Sequence, residues 1–309
     1  MKGRLLKTNY CQSALEIVND RAVRILRLTL RLAFSLIVIL PIMEFTANVA
    51  AAQSTETDVS SQLIGKPLYL RGFWAEDKLA FDAAGQPLKH YSPISFTESG
   101  FDAFKVKIRG DRMTIEGQRV GLTFDKSGNY KRLGLTVGNG LWTKPEQITL
   151  EINGNGNRDF SKALDEIFAR SLEELAPSLP SFWQTYARKH LVAEPASLVA
   201  DVAEHPTVPK ETVRVMHVGG SVIPPKPIKT PDPGFSVAAR RMKYSGKVEV
   251  YLWAEPDGSC SHVSIARPAG LGLDEQAVAT VSQYKFSPAT QNGKPVRVEL
   301  YVEVNFQIF

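Results

Sequence analysis

From Gly246 to Phe309 the chain alternates between apolar and polar residues in three separate runs, and this pattern constrains the fold more than any other feature of the sequence. In the first run Val248, Val250 and Leu252 fall on one face. In the second, Val263 and Ile265 oppose His262 and Ser264. In the third, Val296, Val298, Leu300, Val302, Val304 and Phe306 alternate with Arg297, Glu299, Tyr301, Glu303 and Asn305. A period of two describes a strand with one face buried and the other wet. Pro256-Asp257-Gly258 supplies a turn between the first two runs. Between the second and third, Leu273, Ala277, Val278 and Val281 recur at helical spacing. The predicted order is β-β-α-β. The hairpin makes the first two strands neighbours, and a right-handed crossover returns the third parallel to the second. Docked beside the first strand, the third lies at an edge and offers unpaired N–H and C=O groups to another chain.

Several segments carry a family resemblance. They are Pro231-Asp232-Pro233-Gly234-Phe235 with Ala239-Arg240 and Gly246-Lys247-Val248, then Gly270-Leu271-Gly272-Leu273-Asp274-Glu275-Gln276-Ala277. Phe286-Ser287-Pro288-Ala289, Asn292-Gly293-Lys294-Pro295-Val296 and Val304-Asn305-Phe306 complete the set. Together they resemble a TonB C-terminal domain over roughly Val218 to Phe309, with Phe235 and Ser236 where the family often has Tyr and Pro. The resemblance implies a domain that grips a short extended segment, the TonB box, of TonB-dependent outer-membrane receptors. The implied mode is β-augmentation, in energy-coupled transmembrane transport across the cell envelope. It also implies contact with an inner-membrane motor complex where the N-terminal segment is retained. In the best-known transducers that segment carries a His, whereas this chain has none before His90.

The net charge of +5 does not point to nucleic acid. Lys2, Arg4, Lys7, Arg21, Arg24, Arg27 and Arg31 stand against Glu16, Asp20 and Glu44 in the first 52 residues, which leaves a surplus of only one positive charge for the rest. A basic start, an apolar run from Leu32 to Met43 and the small residues Ala50, Ala51 and Ala52 before Gln53 have the order of a secretory signal, with cleavage after Ala52 or one residue earlier. The competing reading is a signal anchor, although a spanning helix needs about 20 apolar residues. The expected location is the periplasm, or the inner membrane facing it if the anchor is kept. Of the two cysteines, Cys11 falls in the leader and Cys260 in the last third, so no intramolecular disulfide framework follows once the leader is gone.

The predicted fold class is α+β. Residues 60–192 are expected to form an antiparallel β-rich domain, a small sheet or half-barrel, with two helices. Its strands are read at Lys66 to Trp74, Leu79 to Asp82, Phe104 to Ile108, Met113 to Glu116, Val120 to Phe124, Leu133 to Val137 and Ile148 to Ile152. One helix carries Phe160, Leu164, Ile167, Phe168 and Leu172 on one face, and the other runs from about Ser181 to Leu191. Gln53 to Gln62 reads as polar and loose. Prolines crowd residues 193–233, which marks a linker that separates this region from the terminal domain at 234–309. Val215 to Val222 is apolar enough to add a short strand.

His90, His190, His205, His217 and His262 show no metal-ligand spacing, and no nucleophile motif is present. The sequence reads as a non-enzymatic binding module without a cofactor, metal or nucleic acid. The candidate partner-binding residues are Arg297, Val298, Glu299, Leu300, Tyr301, Val302 and Glu303. The alternative reading is a structural or sensory protein that self-associates as a homodimer through the same edge.

Overall fold

The computed structural model describes residues 54–139, 142–192 and 215–308. The segment expected to be a leader, with the expected cleavage residues Ala50, Ala52 and Gln53, and the first part of the proline-rich stretch lie outside the described residues.

A seven-stranded sheet organises the first region. Its long pair is β3 (Gly100–Arg109) and β4 (Arg112–Phe124), flanked by β1 (Leu68–Leu70), β2 (Lys78–Phe81), β5 (Tyr130–Gly134), β8 (Gln147–Asn153) and β9 (Phe168–Ala169). A separate ribbon, β6 (Thr136–Asn139) and β7 (Trp142–Pro145), precedes β8. The pairing is antiparallel except that β2 runs parallel to β8, so the sheet is mixed rather than wholly antiparallel. The two strands expected at Met113 to Glu116 and Val120 to Phe124 are one continuous strand.

Four α-helices, not the two expected, occur among the described residues of this region: α1 (Glu56–Leu63), α2 (Ser161–Ile167), α3 (Leu172–Leu175) and α4 (Ser181–His190). The polar stretch read as loose is α1. Thr55 caps it by accepting the Asp58 N–H, and only Val59 and Leu63 are buried, too few for a visible apolar stripe. The single apolar face read from Phe160 to Leu172 is divided. Helix α2 stops at Ile167, Phe168 turns extended to pair with Leu70 in β1, and Ser171 caps the one-turn α3.

The terminal region contains the predicted unit: β12 (Gly246–Ala254), β13 (Cys260–Arg267), α6 (Leu273–Val281) and β17 (Val298–Phe306), with sheet order β13-β12-β17 and β17 antiparallel to β12. The unit is more elaborate than β-β-α-β alone. Helix α5 (Val237–Arg241) precedes it, and β14 (Lys285–Ser287), β15 (Ala289–Gln291) and β16 (Lys294–Val296) fill the crossover. The described end of the proline-rich stretch lies against these strands as β10 (Val222–Ile223), paired with β15, and β11 (Lys226–Lys229), paired with β14.

The described residues belong to one compact unit. Phe96, Leu122, Phe124, Trp183 and Tyr186 of the first region share a buried cluster with Val250, Leu271, Leu273 and Val281 of the terminal one. The seam is also bonded through backbone: Phe124 N–H donates to the Ala269 carbonyl at 3.0 Å, and Leu271 N–H donates to the Leu122 carbonyl at 3.0 Å. Gly270 makes this approach possible. Its φ is +96°, and a Cβ there would stand 2.0 Å from the Leu122 oxygen. The glycine motif before α6 is therefore the docking point for β4.

Polar groups line the same seam. Asp274 is fully buried and accepts the Ala269 and Gly270 N–H groups at 2.7 and 2.8 Å. Glu275 accepts from Trp183 Nε1 at 2.9 Å, while its other oxygen meets no donor among the described residues. Thr97 Oγ1 receives the Gly272 N–H at 2.9 Å. Arg119, 2% exposed, donates to Glu146 and to the carbonyls of Trp74, Ala75 and Glu76, and Arg241 of α5 reaches the other Glu146 oxygen at 3.0 Å. Burial, reinforced by the Glu275 charge, pushes the Glu98 carboxyl up to about 7. Burial also raises Asp274 and Glu275 above the usual carboxylate range.

Candidate functional site

The expected alternation holds from Val298 to Phe306, whereas Val296 belongs to β16 and pairs with Ala289: Val298, Val304 and Phe306 are buried, Leu300 and Val302 partly so, and Tyr301, Glu303 and Asn305 are exposed. The apolar set packs with Val248, Val250, Leu252 and α6 into the shared core. Leu300 is only half-buried, so truncation leaves a small cavity. Leu300→Ala is expected to cost about 2 kcal/mol, the lower end for such a change, as read by chemical denaturation.

Strand β17 lies at one edge of its three-stranded sheet and β13 at the other. The two edges differ. Helix α4 runs beside β13 and inserts Trp183, Tyr186 and Ala187 into the core there. Beside β17, the described residues before β10 touch the edge at Met216. Met216 N–H donates to the Arg297 carbonyl at 3.0 Å, and Glu299 N–H donates to the Met216 carbonyl at 3.1 Å, in a parallel bridge to Val298. His217 Nδ1 stands 2.5 Å from Glu299 Oε1. Gly219 and Gly220, with φ of +135° and +60°, then carry the chain away from the edge. The apolar stretch from Val215 to Val222 thus contributes one bridge to β17, a bridge of its own between Gly219 and Val222, and the start of the short β10.

Both backbone groups of a residue in an antiparallel strand point to the same side. Since Arg297 C=O and Glu299 N–H point outward, so do the groups of Tyr301, Glu303 and Asn305, and among the described residues these have no backbone partner. The candidate residues therefore separate into three sets. The outward backbone at Arg297 and Glu299 is partly taken by Met216, whereas that at Tyr301 and Glu303 is open. Val298, Leu300 and Val302 pair with β12 and face the core.

The wet face of the sheet is tied into a network. Trp253 Nε1 donates to Tyr251 Oη at 2.7 Å, which donates to Glu299 Oε2 at 3.0 Å. Arg297 donates to Glu255 at 2.6 Å with its guanidinium 5.4 Å from the Trp253 ring centre, and the His262 ring stacks on that of Trp253 with centroids 3.5 Å apart. Lys247 Nζ donates to Glu303 Oε1 at 2.7 Å, and this partner holds the Glu303 carboxyl below its ordinary range. Tyr251 and Trp253 are half-buried in this network, but Tyr301 remains 62% exposed. A groove of about 540 Å³ opens between this face and α4, with Tyr186, Lys189, Tyr251, Glu299 and Tyr301 among its lining. The contribution of α4 was not visible in the sequence, because nothing in its own residues names the strand it lies beside.

Among the described residues no group of three or more His, Cys, Asp or Glu side chains is placed to hold a metal, and no helix is long and apolar enough to cross a membrane.

Residues 231–308 match the family model described as the Gram-negative bacterial TonB protein C-terminal. Among solved structures the chain is similar to the solution NMR structure of the Pseudomonas aeruginosa TonB CTD, at 18% identity over 29% of this chain and 90% of that one, with a TM-score of 0.24. No curated protein matches the chain.

Proposed function

We propose that the TonB C-terminal-like region of this chain is a cell-envelope binding module whose open β17 edge receives an extended partner segment by β-augmentation. The observation that carries this reading is the row of outward backbone groups at Tyr301, Glu303 and Asn305, unpartnered among the described residues, on an edge strand whose apolar face is anchored in the core. Backbone bonds along that row supply affinity, and the side chains of Tyr301 and Glu303 select the partner. The family match favours a TonB-box segment of an outer-membrane receptor as that partner and a place in energy-coupled transport. Helix α4 beside β13 favours β17 over the opposite edge.

Single cysteines at Tyr301, Glu303 and Asn305 are expected to form disulfides with cysteine-bearing receptor-box peptides, with the preferred peptide position moving two residues for every two along the strand. A cysteine at Arg297, beside the Met216 bridge, is expected to cross-link poorly. Capture at His262 or Ser264 instead would transfer the site to β13. Cross-linking of the protein only to itself would favour the homodimer reading.

A further inference from the structure

A second cleft on the molecule gathers cationic side chains. At one end of the seven-stranded sheet the β3–β4 hairpin turns through Gly110 and Asp111, which sets Arg109 directly opposite Arg112. Lys107, two residues before Arg109, projects from the same face. All three are exposed and line one cleft of about 520 Å³, the size of a small-ligand site. Like charges directly opposite one another on paired strands destabilise the sheet. The arginines elsewhere on or next to strands avoid this: Arg119 meets Glu146, Arg132 meets Asp102, Arg267 meets Glu249, and Arg297 meets Glu255.

No carboxylate among the described residues is ion-paired with Lys107, Arg109 or Arg112. Asp111, in the turn itself, spends its Oδ2 on the Gly156 N–H at 2.8 Å. Glu116, which also lines the cleft, is paired with Lys105 at 2.6 Å. The remaining lining carboxylate is Glu151, which sits opposite Thr114. Three cations without an ion-pair partner among the described residues thus share the cleft with one such carboxylate. Asn153, cross-strand from Arg112, adds an amide, and Leu88, 60% exposed, forms an apolar wall.

We infer that this cleft binds a phosphate-bearing anion, with Arg109 and Arg112 gripping the phosphate oxygens and Lys107 adding a third charge. Guanidinium groups suit this task because they present paired donors to phosphate oxygens. The cost of setting the two arginines opposite each other is offset when the anion arrives. Free phosphates and lipid headgroups share this chemistry, and the test separates them.

The full-length chain is melted with and without millimolar sodium pyrophosphate at low ionic strength, as wild type, as Arg109→Gln/Arg112→Gln and as Arg188→Gln, an exposed control on α4. Pyrophosphate is expected to raise the melting temperature of the wild type and of the control. The double variant is expected to melt no lower than wild type without the anion, and to bind pyrophosphate about tenfold or more weakly. In parallel, sedimentation with phosphatidylglycerol vesicles that depends on the two arginines would place the phosphate on a lipid. Binding of pyrophosphate alone would place it on a soluble ligand. The inference is overturned if neither probe binds the wild type, or if either binds the double variant as tightly.

Discussion

Replacing Trp183 with Ala is expected to destabilise the protein by about 3–5 kcal/mol. The side chain is fully buried, touches Phe96, Phe124 and Tyr186 ring to ring, and gives its Nε1–H to Glu275 on the far side of the seam. Its loss therefore opens a cavity and also leaves a buried carboxylate without its donor. Because the cluster around it includes residues of both regions, the expected melt of the wild type is a single cooperative transition, which the variant lowers as a whole. Differential scanning calorimetry decides this. Two transitions, only one of them moved by Trp183→Ala, would show that the regions fold independently across the proline-rich stretch.

Stability is also expected to fall as the pH rises from 5 to 8, by an amount on the order of 2 kcal/mol once solvent access to Glu98 is allowed for. The sign follows from the direction of the shifts. Glu98 is raised to about 7 by burial and by the Glu275 charge, and burial raises Asp274 and Glu275. A carboxyl with a raised folded-state pKa binds its proton more tightly in the folded protein. Its contribution is complete below the unfolded value near 4.5 and is lost as the pH passes the folded value. Glu98 and Glu146 share Arg119 and Arg241, whereas among the described residues Asp274 and Glu275 have no ion-pair partner, so at high pH the seam carboxylates outnumber the guanidinium groups. Glu275→Gln keeps an acceptor for Trp183 and removes one charge. It is expected to flatten the pH profile and raise stability at pH 8, as measured by urea denaturation. A profile unchanged by that substitution would remove the seam carboxylates from the explanation.

How far the sequence could be read depended on whether the cause was local. The three strands and the helix of the terminal unit announce themselves because each has one buried and one wet face, a condition written into consecutive residues. Within β4 the buried Arg119 interrupts the apolar pattern, so the sequence suggests two strands where there is one. A buried arginine makes sense only once Glu146 and the carbonyls of Trp74, Ala75 and Glu76 surround it, and these come from other elements. The parallel pairing of β2 with β8 was equally hidden, since alternation does not encode strand direction. At the candidate site the side-chain phase of β17 was legible from Val298 to Phe306. The division of its edge was not, because the Met216 bridge depends on where a proline-rich segment returns. The opposed arginines of the β3–β4 hairpin were legible as residues but not as a pair, because register is needed to set Arg109 against Arg112.

Amide hydrogen exchange followed by NMR tests most directly whether the β17 edge binds through its backbone. On addition of a receptor-box peptide, the amides of Tyr301, Glu303 and Asn305 are predicted to become protected. Glu299, already bonded to Met216, should change little, and Leu300 and Val302, already paired with β12, should not change. Peptide binding that leaves Tyr301, Glu303 and Asn305 exchanging as before, or that protects alternate amides of β13 instead, would contradict the account.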